Sequence, residues 1–346
     1  MTDSRQRFLI VRLSSIGDIV HALPAVAALG ETFAQAEIHW AVESRHALLL
    51  EGNPYLHRVL NLDTLGWRQQ LTAGATWREI RCGVESLREY RYDAAIDFQG
   101  LWKSALIGWL SGAPERVGFE EHWLREPGAA VLYTKHVSPR GRRHVIEMNL
   151  ALVEQLGART SHWQFPLPWT DTDDTYVDTQ LAALNAKGFI ILNPGGGWRS
   201  KCWSPENYAG LLRRLEECRH EQVILTGSGD EENLISAILQ SASVTGAHYL
   251  PTTLVQFIAL ARRARLFVGG DTGPLHLAAA VGTPLVGIYG PTDPARNGPF
   301  AKDDIALSNL GPIDHTRREP NPPYLAGISV DSVLAAIEAR LARGHG

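Results

Sequence analysis

The feature that most constrains this chain is a repeated alternation of a short apolar run, a glycine-bearing turn and a longer run of helical period. In the first half, residues 8–13 predict a strand, residues 14–18 a turn and residues 19–29 a helix. Such alternation is typical of βα units and a mainly parallel sheet, which is an α/β fold. The further predicted strands are residues 38–42, 94–98, 189–192, 222–226, 266–268 and 285–289.

The length of the chain and one change in composition predict two domains. At 346 residues the chain exceeds the size at which a single hydrophobic core usually keeps growing. Prolines and short polar residues accumulate at 164–175, where we place the linker. We therefore expect Rossmann-like domains at 1–165 and 176–327, followed by an amphipathic C-terminal helix within 328–346. Open parallel sheets bind ligands at the carboxyl ends of their strands, so we expect the two domains to face a central cleft.

Charge, cysteine usage and hydropathy exclude several classes of protein. The net charge of −4 and the pI near 6.4 argue against a nucleic-acid binder, which normally carries a strongly basic face. The three cysteines fit no zinc or redox spacing, so we expect reduced thiols. The N-terminal segment has no signal pattern, and no run approaches ~18 uninterrupted apolar residues. These features predict a cytoplasmic protein without a transmembrane segment, while a surface association with the membrane stays compatible with them.

The first turn, Ser14-Ser15-Ile16-Gly17-Asp18, places two hydroxyls, a glycine and a carboxylate where a strand leads into a helix. Asp18 is a candidate general base, because a carboxylate at such a strand end can be partly desolvated and its pKa tuned toward the operating pH. The alternative is that Asp18 only caps the helix. The local sequence leaves both interpretations open.

The second turn, residues 193–206, is a glycine-rich loop that leads into basic residues. Backbone N–H groups of such a loop can approach an anion, and Arg199 and Lys201 can add charge-assisted bonds to phosphate. The loop is not a Walker A motif, since its lysine follows a serine and a cysteine stands where a magnesium-binding hydroxyl belongs. Ser204 as N-cap and Pro205 at the first helical position predict the start of the next helix. The alternative is an irregular surface loop with solvated basic side chains.

The third turn, residues 226–232, begins like a dinucleotide fingerprint but lacks its last glycine. Its acidic residues would suit the hydroxyls of a ribose. The first turn of a helix is also rich in Asp and Glu because of the helix dipole. This turn alone does not decide between the two.

The most informative segment is residues 269–280. Thr272 and Gly273 lie at a predicted helix N-terminus, whose free N–H groups and dipole attract a diphosphate. His276 either donates to the leaving phosphate or is a packed core histidine. Asp271 would be repelled by phosphates, so we interpret it as a partner of sugar hydroxyls or of a metal.

Taken together, these segments resemble the ADP-heptose:lipopolysaccharide heptosyltransferases of glycosyltransferase family 9. The resemblance extends over nearly the whole chain in the same order. The segments that show the resemblance are Ser14 to His21, Asp97 to Ser104, Gly118-Phe119 with Arg125-Glu126-Pro127, Lys201-Cys202-Trp203, Asp271 to His276 and Gly290 to Pro294. Within this family the resemblance leans toward the type-I enzyme, which adds the first heptose to Kdo-lipid A. The chain departs from the family pattern at Gly196 and Gly197, where the type-I enzyme carries two phosphate-binding threonines, and at Gly270 and Pro274-Leu275, which replace the usual Val and Leu-Ser.

The resemblance implies a GT-B fold, with an N-terminal acceptor domain, a C-terminal donor domain and an inverting transfer. Asp18 matches the base that activates the acceptor hydroxyl. The implied donor-site residues are Lys201, Thr272, Gly273 and His276 at the diphosphate, Glu231 at the nucleoside and Asp271 at the donor sugar, to which the glycine-rich loop adds Arg199. The implied acceptor-site residues are Ser15, Lys103, Arg125 and Arg143.

We therefore predict transfer of heptose from ADP-L-glycero-D-manno-heptose to an anionic, Kdo-lipid A-like inner-core acceptor at the cytoplasmic face of the inner membrane. No tightly bound cofactor or metal is expected, and Mg²⁺ is not required. The alternatives are another donor or acceptor, a GT-B nucleotide-sugar epimerase, or a non-catalytic sugar-nucleotide sensor. A dinucleotide-dependent oxidoreductase is disfavoured because no complete GxGxxG follows a strand.

Overall fold

The computed structural model describes residues 5–70, 72, 74–159, 162–197, 201–219, 221–309 and 325–344. The chain divides into two compact units, Met1–Pro168 and Trp169–Gly346. Each unit contains a parallel β-sheet flanked by helices.

The sheet of the first unit is parallel throughout. Its strands are β1 (Arg7–Val11), β2 (Glu37–Glu43), β3 (Arg58–Leu62), β4 (Ala94–Asp97), β5 (Glu115–Phe119) and β6 (Lys135–Val137). Over the described residues they form one six-stranded sheet of order β3-β2-β1-β4-β5-β6. The order reverses between β1 and β4, and such a switch point is where open α/β sheets bind ligands.

Helices connect these strands and cover the sheet. They are α1 (Ile16–Thr32), α2 (Thr64–Gln69), α3 (Gly74–Glu89), α4 (Trp102–Leu110) and α5 (Val145–Glu154), with 3₁₀ helices at Ser44–Leu50, Glu121–Trp123 and Pro127–Leu132. α1 packs against α5. Leu9, Ile10 and Val11 of β1 are fully buried, as expected for a central strand covered on both faces.

The sheet of the second unit repeats this topology. Its strands are β7 (Ile190–Asn193), β8 (Val223–Leu225), β9 (Ala247–Tyr249), β10 (Leu266–Gly270), β11 (Leu285–Tyr289) and β12 (Ile305–Ser308). Within the described part of the chain they form a six-stranded parallel sheet of order β12-β11-β10-β7-β8-β9. This is the order of the first sheet read from the opposite edge, so its switch point lies between β7 and β10.

The helices of the second unit follow the same alternation. They are α6 (Asp171–Ala183), α7 (Pro205–Arg219), α8 (Glu232–Ala242), α9 (Leu254–Ala261), α10 (Gly273–Ala280), α11 (Pro294–Asn297) and α12 (Val330–Ala342), with a 3₁₀ helix at Gly229–Glu231. α12 packs on α7 and places Val333 and Ile337 in the core. The predicted α/β fold with two parallel sheets is confirmed.

The predicted boundary of the first helix was wrong. α1 begins at Ile16, not at Ile19, so Asp18 lies in the first turn of the helix rather than in the loop before it. The reason is a capping box, in which Ser15 is the N-cap and Asp18 is the third helical residue.

Candidate active site

Asp18 lies at the carboxyl end of the first sheet, immediately after β1. Its Oδ2 accepts hydrogen bonds from the backbone N–H of Ser15 at 3.0 Å and from the Ser15 hydroxyl at 2.8 Å. Its Oδ1 pairs with the guanidinium of Arg12. The side chain of Asp18 still keeps 36% of its surface exposed. The capping interpretation is thus confirmed, and the carboxylate retains an open side for chemistry.

Arg12 is the residue that sequence reasoning missed here. Arg12 is buried and directly follows the last residue of β1. Its Nη1 donates to the carbonyl of Phe98, and its own carbonyl accepts from Nε1 of Trp40 at 3.0 Å. Burial raises the pKa of Asp18, but Arg12 and the hydrogen bonds from Ser15 lower it more, to about 2. The expectation of a pKa tuned toward the operating pH was therefore wrong, because a buried cation stands beside the carboxylate.

A second buried carboxylate, Asp97, organises the neighbouring turn. β4 pairs with β1 so that Asp97 lies opposite Val11. Asp97 accepts from the hydroxyls of Ser104 and Tyr133, both at 2.8 Å, and from two backbone N–H groups of its own turn. Burial raises the pKa of Asp97 in spite of these bonds. Since all its contacts are internal, Asp97 supports the site rather than presenting a reactive group.

The predicted acceptor residues lie mostly on the surface of the first unit. Ser15, Arg125 and Arg143 are exposed. Lys103 is 41% exposed, and its Nζ lies 3.9 Å from Oε1 of the buried Glu43. These four side chains are accessible to an anionic ligand in solution. Of the four, Ser15 is the one that hydrogen-bonds to Asp18 in the described part of the chain.

The second candidate site surrounds Asp271, directly after β10. Its Oδ1 lies 3.0 Å from Nε2 of His276, and its Oδ2 lies 2.5 Å from Nζ of Lys201 and 2.6 Å from the hydroxyl of Thr292. Asp271 is 3% exposed and His276 is 6% exposed. Burial raises the pKa of Asp271, but His276 and Lys201 lower it far more, so the group is an ionised anchor. Thr292 is a partner that sequence reasoning did not single out.

A helix N-terminus adjoins this cluster. Thr272 is the N-cap of α10, which starts at Gly273, so the N–H groups of Gly273 and Leu275 have no partner within the helix, while Pro274 between them carries no N–H. The hydroxyl of Thr272 is buried and has no hydrogen-bond partner in the described part of the chain. A Cβ on Gly270 would lie 2.6 Å from the carbonyl oxygen of Lys201, so the glycine allows the lysine segment to pack directly on β10. The structure thus brings Lys201, Asp271, Thr272 and His276 together.

The remaining predicted donor residues lie on nearby turns or outside the described residues. Glu231 is half-buried, and its Oε2 accepts from the backbone N–H of Ser228 at 2.7 Å, which fastens the turn after β8. The amide of Asn193 donates to the carbonyl of Thr226 at 2.9 Å and joins the ends of β7 and β8. Arg199 lies outside the described residues.

The described residues offer neither a metal site nor a membrane span. Among the described residues, no group of three or more His, Cys, Asp and Glu side chains is arranged to hold a metal ion. Within the same residues, no helix is both long and apolar enough to cross a bilayer.

Comparison with known proteins gives a consistent result. Residues 81–323 match the model of glycosyltransferase family 9 (heptosyltransferase). Lipopolysaccharide heptosyltransferase 1 of Pseudomonas aeruginosa is 28% identical over 310 residues, covering 88% of this chain and 84% of the relative. Lipopolysaccharide heptosyltransferase 3 of Escherichia coli K12 is 25% identical over 339 residues, covering 94% of this chain and 95% of the relative.

Solved structures with the same architecture include E. coli heptosyltransferase WaaC with ADP, with a TM-score of 0.78, 25% identity, and coverage of 97% of this chain and 100% of that one. A glycosyltransferase family 9 protein from Veillonella parvula has a TM-score of 0.83 at 19% identity, with 99% of each chain covered. The second likeness concerns the fold alone.

Proposed function

This chain belongs to glycosyltransferase family 9, the heptosyltransferases, and from that premise we propose that it transfers heptose from ADP-L-glycero-D-manno-heptose to a Kdo-lipid A-like inner-core acceptor with inversion. The protein is a glycosyltransferase of this family. The observation that carries the finer proposal is the cluster at the start of α10, where a helix N-terminus, an unsatisfied hydroxyl and a lysine converge. Those are the groups that a diphosphate needs.

In the proposed donor site, Thr272 and the N–H groups from Gly273 onward bind the diphosphate. Lys201 and Arg199 supply positive charge to it, and His276 donates to the leaving phosphate. Glu231 contacts the nucleoside. Asp271 aligns Lys201 and His276 until the donor arrives and then faces the hydroxyls of the heptose. This assignment is supported by the bonds that Asp271 already makes to Lys201 and His276.

In the proposed acceptor site, Asp18 is the general base. As the acceptor oxygen forms its bond to the anomeric carbon, its proton passes to Asp18, while the bond from that carbon to the β-phosphate oxygen breaks and its electron pair leaves with ADP. Attack on the face opposite the leaving group inverts the anomeric centre. Ser15, Lys103, Arg125 and Arg143 bind the anionic groups of the acceptor. Arg12 acts as a positioning residue that fixes the Asp18 carboxylate.

We further propose that the cationic side chains and the helix N-terminus offset the charge of departing ADP, without a tightly bound cofactor and without a requirement for Mg²⁺. WaaC has been solved with ADP and with ADP-2-deoxy-2-fluoro heptose, which supports an ADP-sugar as the donor here. Retention of turnover in excess EDTA would agree with this proposal, and full loss restored by added Mg²⁺ would contradict it.

The decisive experiment measures ADP release from ADP-heptose and from other nucleotide sugars, with and without a Kdo-lipid A acceptor. We expect release only with ADP-heptose and acceptor together, and a heptosylated product by mass spectrometry. Acceptor-independent release of sugar would indicate an epimerase. Tight ADP binding without turnover would indicate a sensor.

A further inference from the structure

A stripe of large apolar side chains lies on the surface of the first unit. Trp102, Leu106 and Trp109 of α4 recur at helical spacing, so they share one face of the helix. They are 49%, 44% and 48% exposed. The opposite face of α4 turns Ser104 and Gly108 into the interior. α4 is thus apolar on the side where a surface helix is normally polar.

The stripe continues onto the 3₁₀ helix Pro127–Leu132, which packs beside α4. Val131 of this helix is 76% exposed. A Cβ on Gly128 would lie 2.6 Å from Cζ2 of Trp102, so the indole rests directly against the glycine backbone. The indole is therefore held in place by packing. We call Trp102, Leu106, Trp109 and Val131 the α4 surface.

Basic side chains stand at both ends of the α4 surface. At the start of α4, Lys103 is 41% exposed and Arg125 is exposed, next to Glu126, whose carboxylate accepts from the N–H of Trp102 at 2.7 Å. At the end of α4, exposed Arg88 donates to the carbonyl of Leu110 at 3.0 Å. Basic side chains around exposed indoles match the charge of an anionic lipid surface.

Acidic residues also border this surface, including Glu126 at the start of α4. Glu120 and Glu121 line a cavity together with Val131. The electrostatic attraction to anionic lipid is therefore partial, and the indoles must contribute most of any binding.

We propose that the α4 surface docks on a phospholipid bilayer, with its indoles among the headgroups and its basic residues at the lipid phosphates. Tryptophan suits this depth because its ring is apolar while its N–H needs a polar partner. Trp102, Leu106 and Trp109 stand on one face of a single helix and are each nearly half exposed, which suits a flat partner. The inference shares Lys103 and Arg125 with the proposed acceptor site and rests on the proposed function to that extent, whereas the exposed indoles and Val131 belong to the α4 surface alone.

The place of α4 in the fold gives the docking a consequence. α4 follows the turn after β4, and Gln99 of that turn accepts from the backbone N–H of Leu13 at 2.8 Å, beside the loop that leads to Asp18. The α4 surface therefore starts at the sheet edge that carries Asp18. Docking would present this edge to molecules anchored in the bilayer.

The test uses the full chain and vesicles of phosphatidylethanolamine and phosphatidylglycerol. We expect the parent protein to co-sediment with them and its tryptophan fluorescence to be quenched by brominated lipid. The double variant Trp102→Ser/Trp109→Ser should bind roughly tenfold more weakly and lose most of the quenching. Trp77→Ser is the matched control, because Trp77 is 57% exposed on α3 about three helical turns before Arg88 and outside the α4 surface.

Several outcomes would overturn the proposal. They are a parent protein that does not bind the vesicles, a double variant that binds as well as the parent, and a Trp77 variant that loses as much binding. A concentration-dependent dimer that the double variant abolishes would assign the surface to a second copy of the chain instead. If the double variant fails to fold by circular dichroism, Val131→Asp replaces it, since that side chain is already mostly in solvent. Vesicle binding and heptose transfer are measured separately, so either can fail alone.

Discussion

The two sheets share one strand order, yet the carboxylates at their ligand-binding edges have opposite surroundings. Asp18 pairs with one cation, Arg12, and accepts two hydrogen bonds from Ser15, and 36% of its side chain is exposed. Asp271 is buried and has three side-chain partners, His276, Lys201 and Thr292. An open carboxylate can exchange a proton with a substrate, whereas an enclosed one orients its neighbours. We therefore propose that the same topology supports a reacting carboxylate in one unit and an anchoring carboxylate in the other.

Replacement of Asp18 by Asn should have the largest effect on turnover. The amide keeps the shape but cannot take the acceptor proton, so we expect kcat to fall by ~10² to 10⁴-fold. ADP affinity, measured by calorimetry, should stay within about twofold, since the donor residues lie in the second unit. Near-normal kcat would remove Asp18 from the proposed role.

Replacement of Asp271 by Asn should reverse that pattern. Removing one partner from a buried ion pair leaves the other uncompensated and typically costs about 3 to 5 kcal/mol of stability. We expect weaker ADP binding, unlike Asp18→Asn, and a larger drop in the midpoint of urea unfolding than Asp18→Asn causes, because Asp271 is buried with three side-chain partners and Asp18 is partly exposed. Should the two variants lose stability equally, the contrast between the anchoring and the reacting carboxylate would not hold.

Replacement of Lys201 by Ala removes the positive charge that pairs with Asp271. A charge-assisted bond to phosphate contributes about 1.5 to 3 kcal/mol, so ADP should bind roughly 10- to 100-fold more weakly. Lys187→Ala is the control, because Lys187 is an exposed lysine of the same unit. Unchanged ADP affinity in Lys201→Ala would locate the diphosphate elsewhere.

The pH dependence separates the parent from an Arg12 variant. With the pKa of Asp18 lowered to about 2, the carboxylate is ionised at pH 5 to 8 and is protonated only as the pH falls through 2. The parent's kcat/KM should show no acid limb from Asp18 in that range. In Arg12→Met the burial that raises the pKa remains while the cation is gone, so activity should fall as the pH drops toward 5. Arg12→Lys keeps the charge and should behave like the parent; a flat profile in Arg12→Met would contradict the positioning role.

The alternation of apolar runs and turns was sufficient to predict the central strands and several helix starts. Leu285–Tyr289 was predicted to the residue, and α7 begins at Pro205 with Ser204 accepting from the N–H of Asn207 at 3.2 Å. Strands β3, β5, β6, β9 and β12 were not predicted, because short strands toward the sheet edges are only partly buried and their apolar pattern is weak.

The site was predictable where its residues are neighbours in the chain and not where they are distant. Asp271, Thr272 and His276 occur within one segment, so their shared helix start could be recognised. Arg12 and Thr292 were missed as partners because their roles depend on contacts made in three dimensions, with Phe98 and with Asp271. The base role of Asp18 and the sugar contact of Asp271 stay predictions.

The bond between Lys201 and Asp271 has a consequence for selectivity. Asp271 is an internal anion that pairs with Lys201, so an anionic ligand must compete with it for the lysine. A ligand with a single small anionic group gains little from that exchange, while a diphosphate can take the lysine and the helix start at once. Orthophosphate should therefore displace bound ADP far less readily than pyrophosphate does at equal concentration. Equal displacement would contradict the inference that Asp271 makes Lys201 selective for a diphosphate.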